Sequence, residues 1–296
     1  MEVQYLAQSF LQLNSIFISI LIEAIPFVLI GVLISGSIQM FVSEEMIARV
    51  IPKNRFLAVL FSSLVGFFFP ACECGIVPVT RRLLKKGVPL HAAIAFMLTA
   101  PVLNPIVLFS TYIAFGNDWK MVLYRGGLAL IVSITIGIIL SYQYKDNQLL
   151  DKFTKPEHNH QIRKTFIDKL TGTLRHSVDE FFSVGKYLFI GALIAASMQT
   201  FVKTSTLLAI GQNELSSSLV MMGMAFVLSL CSEADAFIAA SFSSTFATGS
   251  LIAFLVFGPM VDIKNMLMML GTFKKRFVFV LISYIAFLVL IGSLLL

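Results

Sequence analysis

FVLIGVLISGSIQMFV, residues 27–42, holds no charged side chain and closes an apolar run that opens at residue 15. A helix crosses the hydrocarbon core of a bilayer with about 20 apolar residues, so residues 15–42 read as a membrane span. The stretch returns later as YLFIGALIAASMQTFV, residues 187–202, aligned without a gap. Identities fall at Ile30/Ile190, Gly31/Gly191, Leu33/Leu193, Ile34/Ile194, Ser37/Ser197, Gln39/Gln199, Phe41/Phe201 and Val42/Val202. A membrane-length helix that recurs with its Gly and Gln in register predicts a duplicated polytopic protein, an organisation typical of secondary transporters.

Outward from this pair, residues 89–116, 120–142, 180–202, 251–270 and 277–296 are further span-length apolar runs. Of the 296 residues 57% are hydrophobic and 13% charged, about half the charged share of a soluble domain. That composition excludes a soluble enzyme, a disordered chain and a nucleic-acid-binding domain. The net charge of +6 is then the Lys and Arg excess of cytoplasmic loops. Three cysteines make no disulfide framework and read as free thiols. The opening MEVQYLAQSF lacks the basic n-region of a secretory signal peptide.

Two apolar stretches are irregular. Residues 56–70 are short and run into PACECG, and residues 215–248 are interrupted by CSEAD. The polar segment 143–176 separates a first transmembrane repeat, residues 1–142, from a second, residues 177–296, and reads as a basic cytoplasmic linker. AFMLTAPVLN (Ala95–Asn104) and AFLVFGPMVD (Ala253–Asp262) also match in order. If 56–80 and 215–248 are re-entrant hairpins, then Arg49, Lys53, Arg55, the RRLLKK run at 81–86, the linker and the KKR at 274–276 share one face. The expected fold is an all-α polytopic transmembrane protein of two inverted repeats with broken helices meeting near the midplane. The alternative is a plain eight-span bundle.

Chemistry concentrates at the breaks. Pro70, Gly75 and Pro78 disrupt a helix around Cys72, Glu73 and Cys74. Thiolates suit soft ions and a carboxylate suits harder cations or a proton. Buried cysteine more often serves as a small hydrophobe, which is the competing reading. Cys231, Glu233 and Asp235 form the second group; two carboxylates at membrane depth cost about 2.5–3.5 kcal/mol each and call for a cation, a proton or a buried base. The third is Pro101 with Asn104 and Pro259 with Asp262, equivalent in the two halves, with Lys264 beside Asp262 as an ion-pair partner. Cys72, Cys74 and Glu73 are the candidate metal ligands; together with Pro101, Asn104, Cys231, Glu233, Asp235 and Asp262 they form the candidate substrate-binding set. Gln39 and Gln199 read as packing glue, Glu23 as interfacial, and His158 and His160 as incidental linker residues. Neither a Walker A loop nor an HExxH pattern appears, so an enzyme is not expected.

PACECGIVPVTRRLLKKGVPLHAAIAFMLTAPVLNP, with CSEADAFIAASF and AFLVFGPMVDIKNMLMML, resembles a bacterial permease family. That family includes the ArsP-type organoarsenical-efflux permeases and the YraQ/YcgR-like permeases. The resemblance implies a multi-pass permease of the bacterial plasma membrane. It also implies thiol-dependent handling of trivalent organoarsenicals, mapped onto Cys72 and Cys74, and, for YcgR-like members, a companion membrane subunit. Glu73 departs from the pattern and shifts the ligand set towards a divalent cation such as Zn(II). The expected function is a secondary permease for a soft metal or metalloid species, coupled to protons through Glu233 and Asp235. The alternatives are a subunit that acts only with a partner and an intramembrane thiol oxidoreductase. The expected partners are the bilayer, a small inorganic or organometallic substrate, a companion subunit and a second copy of the chain; no nucleic acid or cofactor is expected.

Overall fold

The computed structural model describes residues 2–69, 72–144, 146, 148–150, 166–201 and 213–296. Among these, structure is helical apart from one isolated bridge, Leu149 to Phe273. The first half contains α1 (Glu2–Phe41), α2 (Glu44–Val50), α3 (Arg55–Phe67), α4 (Glu73–Lys85), α5 (Leu90–Leu103), α6 (Pro105–Ala114) and α7 (Trp119–Gln143). The second contains α8 (Phe166–Phe201), α9 (Glu214–Leu228), α10 (Ser232–Ser241), α11 (Thr248–Met260), α12 (Ile263–Thr272) and α13 (Lys275–Leu294). Among the described residues six helical stretches are long and apolar enough to cross a membrane: α1, α5–α6, α7, α8, α11–α12 and α13. They coincide with the six runs read from the sequence. The chain is an all-α, multi-pass membrane protein.

The breaks have local causes. Asn104 precedes Pro105, whose ring drives the preceding residue out of the helical region; Asn104 sits at φ −50°, ψ 130° and its side chain caps Ile106 N–H at 2.9 Å. In the second half Asp262 performs the same cap, accepting from Asn265 N–H at 2.6 Å. Pro101 and Pro259 each lie inside the last turn before these breaks. α9 ends at Ser229, held in the left-handed region at φ 48°, uncommon for a residue with a Cβ. Its hydroxyl accepts from Ile263 N–H at 3.1 Å, which ties the α9–α10 break to the start of α12.

α3 has 13 residues and α9 has 15, so each covers only about 20 Å, short of a 30 Å hydrocarbon core. Contacts at the helix ends show where they start. Arg55 at the start of α3 donates to Ser141 O at the end of α7 (3.0 Å), and Lys86 just past α4 donates to Gln39 O at the end of α1 (2.9 Å). α3 and α4 therefore begin and finish at one end of the bundle, where Tyr284 of α13 also meets Gln143. At the opposite end Ser217 of α9 bonds Ser250 of α11 (2.8 Å), and Gly249 abuts Ser293 O of α13.

α1 and α8 pack along each other, and α4 lies against α1 at a glycine pair. A Cβ on Gly31 would stand 2.6 Å from Gly75 O, so both positions need glycine for this approach. α8 begins at Phe166, within the polar 143–176 stretch. Its Glu180 is buried and accepts from Arg81, from Arg82 Nε at 3.1 Å and from Ser35 at 2.6 Å. The RRLLKK run is thus not simply a loop charge: Arg81 and Arg82 are buried within α4.

Candidate functional site

The start of α4 and the start of α10 meet inside the bundle. Cys72 and Cys231 are the N-cap residues, and neither side chain caps its helix. Glu73 stands in the first turn of α4, and Glu233 and Asp235 in the first turn of α10, where the unpaired amides and the helix dipole favour negative charge. Ser232 Oγ donates to Glu73 Oε2 at 3.2 Å, joining the two breaks directly. Glu73 Oε1 lies 3.8 Å from Lys264 Nζ and 3.8 Å from the Cys74 thiol. Lys264 also stands 3.7 Å from Asp262 Oδ2. Glu73, Asp262 and Lys264 are all buried, so two carboxylates share one ammonium out of contact with water.

A cavity of about 10 Å³, room for roughly one water, lies at this junction. It is lined by the three thiols, Cys72, Cys74 and Cys231, and by Glu73, Lys264 and Glu23. Glu23, read from the sequence as interfacial, faces the same cavity as the cysteines. All three cysteines are free. The Cys231 thiol donates to Glu233 Oε2 at 2.7 Å. Among the described residues no three His, Cys, Asp or Glu side chains are gathered closely enough to cage a metal ion. Cys72, Cys74 and Glu73 share a cavity, but not as a ready-made coordination shell.

Asp235 is buried, with Oδ2 unbonded and close to the Cα of Gly258, where a Cβ would come within 3.1 Å of it. Two cations act on it, Lys264 and Arg125 of α7; Arg125 is wholly buried and has no part in the sequence-based site. Arg125 donates to Thr111 Oγ1 at 2.7 Å and to the Ser232 carbonyl at 3.1 Å. Ser232 is therefore shared: its hydroxyl reaches Glu73 and its carbonyl holds Arg125. Asn104 serves as the cap of α6 and Pro101 as part of α5. Gln199 donates to Leu228 O at 2.7 Å, binding α8 to the end of α9. Pro70, His158 and His160 lie outside the described residues.

Comparison with known proteins places this geometry in a family. The model of the predicted permease family ArsP_1 matches residues 9–296, and the chain belongs to that family. It is 77% identical over 287 residues to the UPF0718 protein YcgR of Bacillus subtilis, covering 97% of each chain. It is 48% identical over 275 residues to a protein of Streptococcus mutans named "Putative two-component membrane permease complex subunit", covering 93% of this chain and 91% of that one. The UPF0718 protein YraQ of Escherichia coli is 26% identical over 105 residues, 36% of this chain and 30% of its own. No solved structure matches. The chain is a permease-family protein of the plasma membrane.

Proposed function

We propose that the chain is a secondary permease, built of two inverted repeats, that passes a soft metal or metalloid species through the junction of α4 and α10. The observation that carries this reading is the convergence of Cys72, Cys74 and Cys231, from both halves, on one cavity with Glu73 and Lys264. Thiolates select soft cations and thiol-seeking metalloids. The thiols and Glu73 are not gathered into a coordination shell, so in this reading α4 and α10 part to admit cargo, and the thiols bind in a conformation that differs from this one. Asp235 and Glu233 supply sites for a coupling proton, beside the fixed charge of Arg125. The meeting of chain ends supports the inverted arrangement: α3–α4 starts and ends where α7 ends, and α9 starts at the opposite end.

Cellular metal and metalloid content tests the reading. A deletion strain, its complement and a Cys72→Ser/Cys74→Ser complement would be challenged with zinc, copper, arsenite and methylarsenite. One element should change with the gene and revert in the double variant. No change in any of them, with the protein present in the membrane, would defeat the soft-cargo assignment.

A second reading, a subunit that works only with a companion protein, is favoured by the name of the Streptococcus mutans relative, a two-component permease complex subunit. Purified chain reconstituted alone into vesicles separates the two. Uptake by the lone chain supports the first reading, and uptake only after a companion is added supports the second.

A further inference from the structure

We propose that the groove bounded by the end of α1, α2, α3, α4 and α5 binds one acyl chain of an anionic phospholipid, with the headgroup held by basic residues at its mouth. The groove encloses about 290 Å³. Ser62 is the one hydroxyl among its lining residues; the rest, including Ile38, Val65, Phe69 and Val79, present carbon. Interiors are close-packed, so an apolar space of this size beside a bilayer is a space for hydrocarbon.

The position of the groove matches a leaflet. Val42, Val50, Leu83 and Val88 line it near the end of the bundle where Lys86 bonds Gln39 O. Its inner limit is Phe69 against Phe96, ring centroids 5.2 Å apart. α3 alone rises about 20 Å along this wall, against roughly 15 Å for half the hydrocarbon core. α2 buries Ile47 while exposing Met46 and Val50, the pattern of a short helix lying in the membrane interface.

Charge chooses the kind of lipid. Arg49 and Lys53 are exposed, and Lys85 and Lys86 are half-buried, all within three positions of the lining residues Val50, Ile51, Leu83 and Val88. Glu44 and Glu45 are the acidic residues of the same segments, leaving a positive excess. A basic rim over an apolar slot fits a lipid with a net negative headgroup better than a zwitterionic one. α4 is one wall of the slot through Val79 and Leu83, and the same helix begins at Cys72 and Glu73. An occupied groove therefore braces the helix that carries the thiols.

The test needs no transported substrate, so it stands apart from the cargo assignment. The full chain, purified and stripped of lipid, would receive phosphatidylglycerol or phosphatidylcholine of identical chains, and be read by native mass spectrometry and thermal melting. Phosphatidylglycerol should be retained at one per chain and raise Tm by about 3 °C over phosphatidylcholine. Val65→Trp should abolish retention; Val50→Trp, at the exposed mouth, provides the same block with less demand on packing. Lys85→Gln/Lys86→Gln should remove the preference for phosphatidylglycerol and keep the fold. Equal retention of both lipids by the wild type overturns the proposal. So does undiminished retention in both tryptophan variants, or disulfide trapping of a second copy through Val65→Cys.

Discussion

Lys264 Nζ and Glu73 Oε1 lie 3.8 Å apart, one from the second half of the chain and one from the first, and both are buried. The cation enters from the first turn of α12, two residues beyond the break at Asp262. The carboxylate sits on the first turn of α4, beyond the break at Cys72. A matching exchange occurs across the junction, where Arg125 of the first half holds the Ser232 carbonyl at the start of α10. Each broken helix thus receives a buried cation from the opposite half.

This exchange sets the outcome of removing one partner. Lys264→Met would leave Glu73 and Asp262 buried without their shared cation, a loss of about 3–5 kcal/mol in stability. Glu73→Gln would cost less, because Asp262 still faces the ammonium at 3.7 Å. The double variant Glu73→Gln/Lys264→Met should be more stable than Lys264→Met alone. Urea unfolding in detergent measures all three, and equal stability of the two single variants would contradict the shared pairing.

Arg125 gives a second expectation. Arg125→Lys keeps a charge but cannot reach Thr111 and the Ser232 carbonyl together, because a lysine lacks the planar fork. Membrane insertion should persist, while transport falls at least about tenfold, equivalent to about 1.4 kcal/mol of lost positioning. Quantitative immunoblotting of membranes beside an uptake assay separates insertion from activity. Full uptake by Arg125→Lys would remove Arg125 from the mechanism.

Glu180 forms the anionic centre of a buried cluster with Arg81, Arg82 and Ser35. Glu180→Gln would remove the buried anion that both guanidinium groups meet and is expected to destabilise by about 3–5 kcal/mol. Glu180→Asp keeps the charge but shortens the reach, and should cost less. Thermal melting of the two variants in detergent ranks them, and a tolerated Glu180→Gln would mean the arginines are neutralised elsewhere.

These residues also show what the sequence could and could not reveal. The six membrane-length stretches were legible because bilayer thickness imposes a length and an absence of charge. The breaks were legible because Pro105, Gly75 and the acidic CSEAD run contradict a continuous helix. The Asn104 and Asp262 equivalence followed from the repeat, and both turn out to be helix caps. Arg81 and Arg82 were misplaced because basic residues beside other basic residues read as loop charges; Arg125 lies inside the apolar 120–142 run and was passed over, and the burial of all three is decided elsewhere in the chain. Arg82 meets Glu180 across 98 positions, and Arg125 meets Ser232 across 107. Glu23 looked interfacial because nothing local shows that α4 and α10 open a cavity beside it.

The glycine contact between α1 and α4 is sharp enough to test by one methyl group. In Gly31→Ala the new Cβ would meet Gly75 O, a backbone atom that cannot turn aside. Overpacking of this kind costs about 1–3 kcal/mol. At Gly185, by contrast, nothing lies within 4 Å, and Gly185→Ala should stabilise by up to about 1 kcal/mol through helix propensity. Opposite shifts in thermal midpoint are expected, and a destabilising Gly185→Ala would show that α8 is closely covered there.

The arrangement of the halves is decided by which side of the membrane two loops reach. Ser244 follows α10 and Lys274 precedes α13, and both are exposed. With α9–α10 as a hairpin that returns to its own face, Lys274 lies on the side of the polar linker and Ser244 on the other. If residues 215–248 instead crossed once, the two would exchange sides, because every later segment would be reversed. Ser244→Cys and Lys274→Cys, each in a background with Cys72, Cys74 and Cys231 replaced by serine, would be exposed to an impermeant maleimide in intact cells. Labelling at residue 244 and protection at residue 274 is the expected result. The reverse pattern would establish the eight-span bundle, and the thiol cavity would then no longer lie between two inverted hairpins.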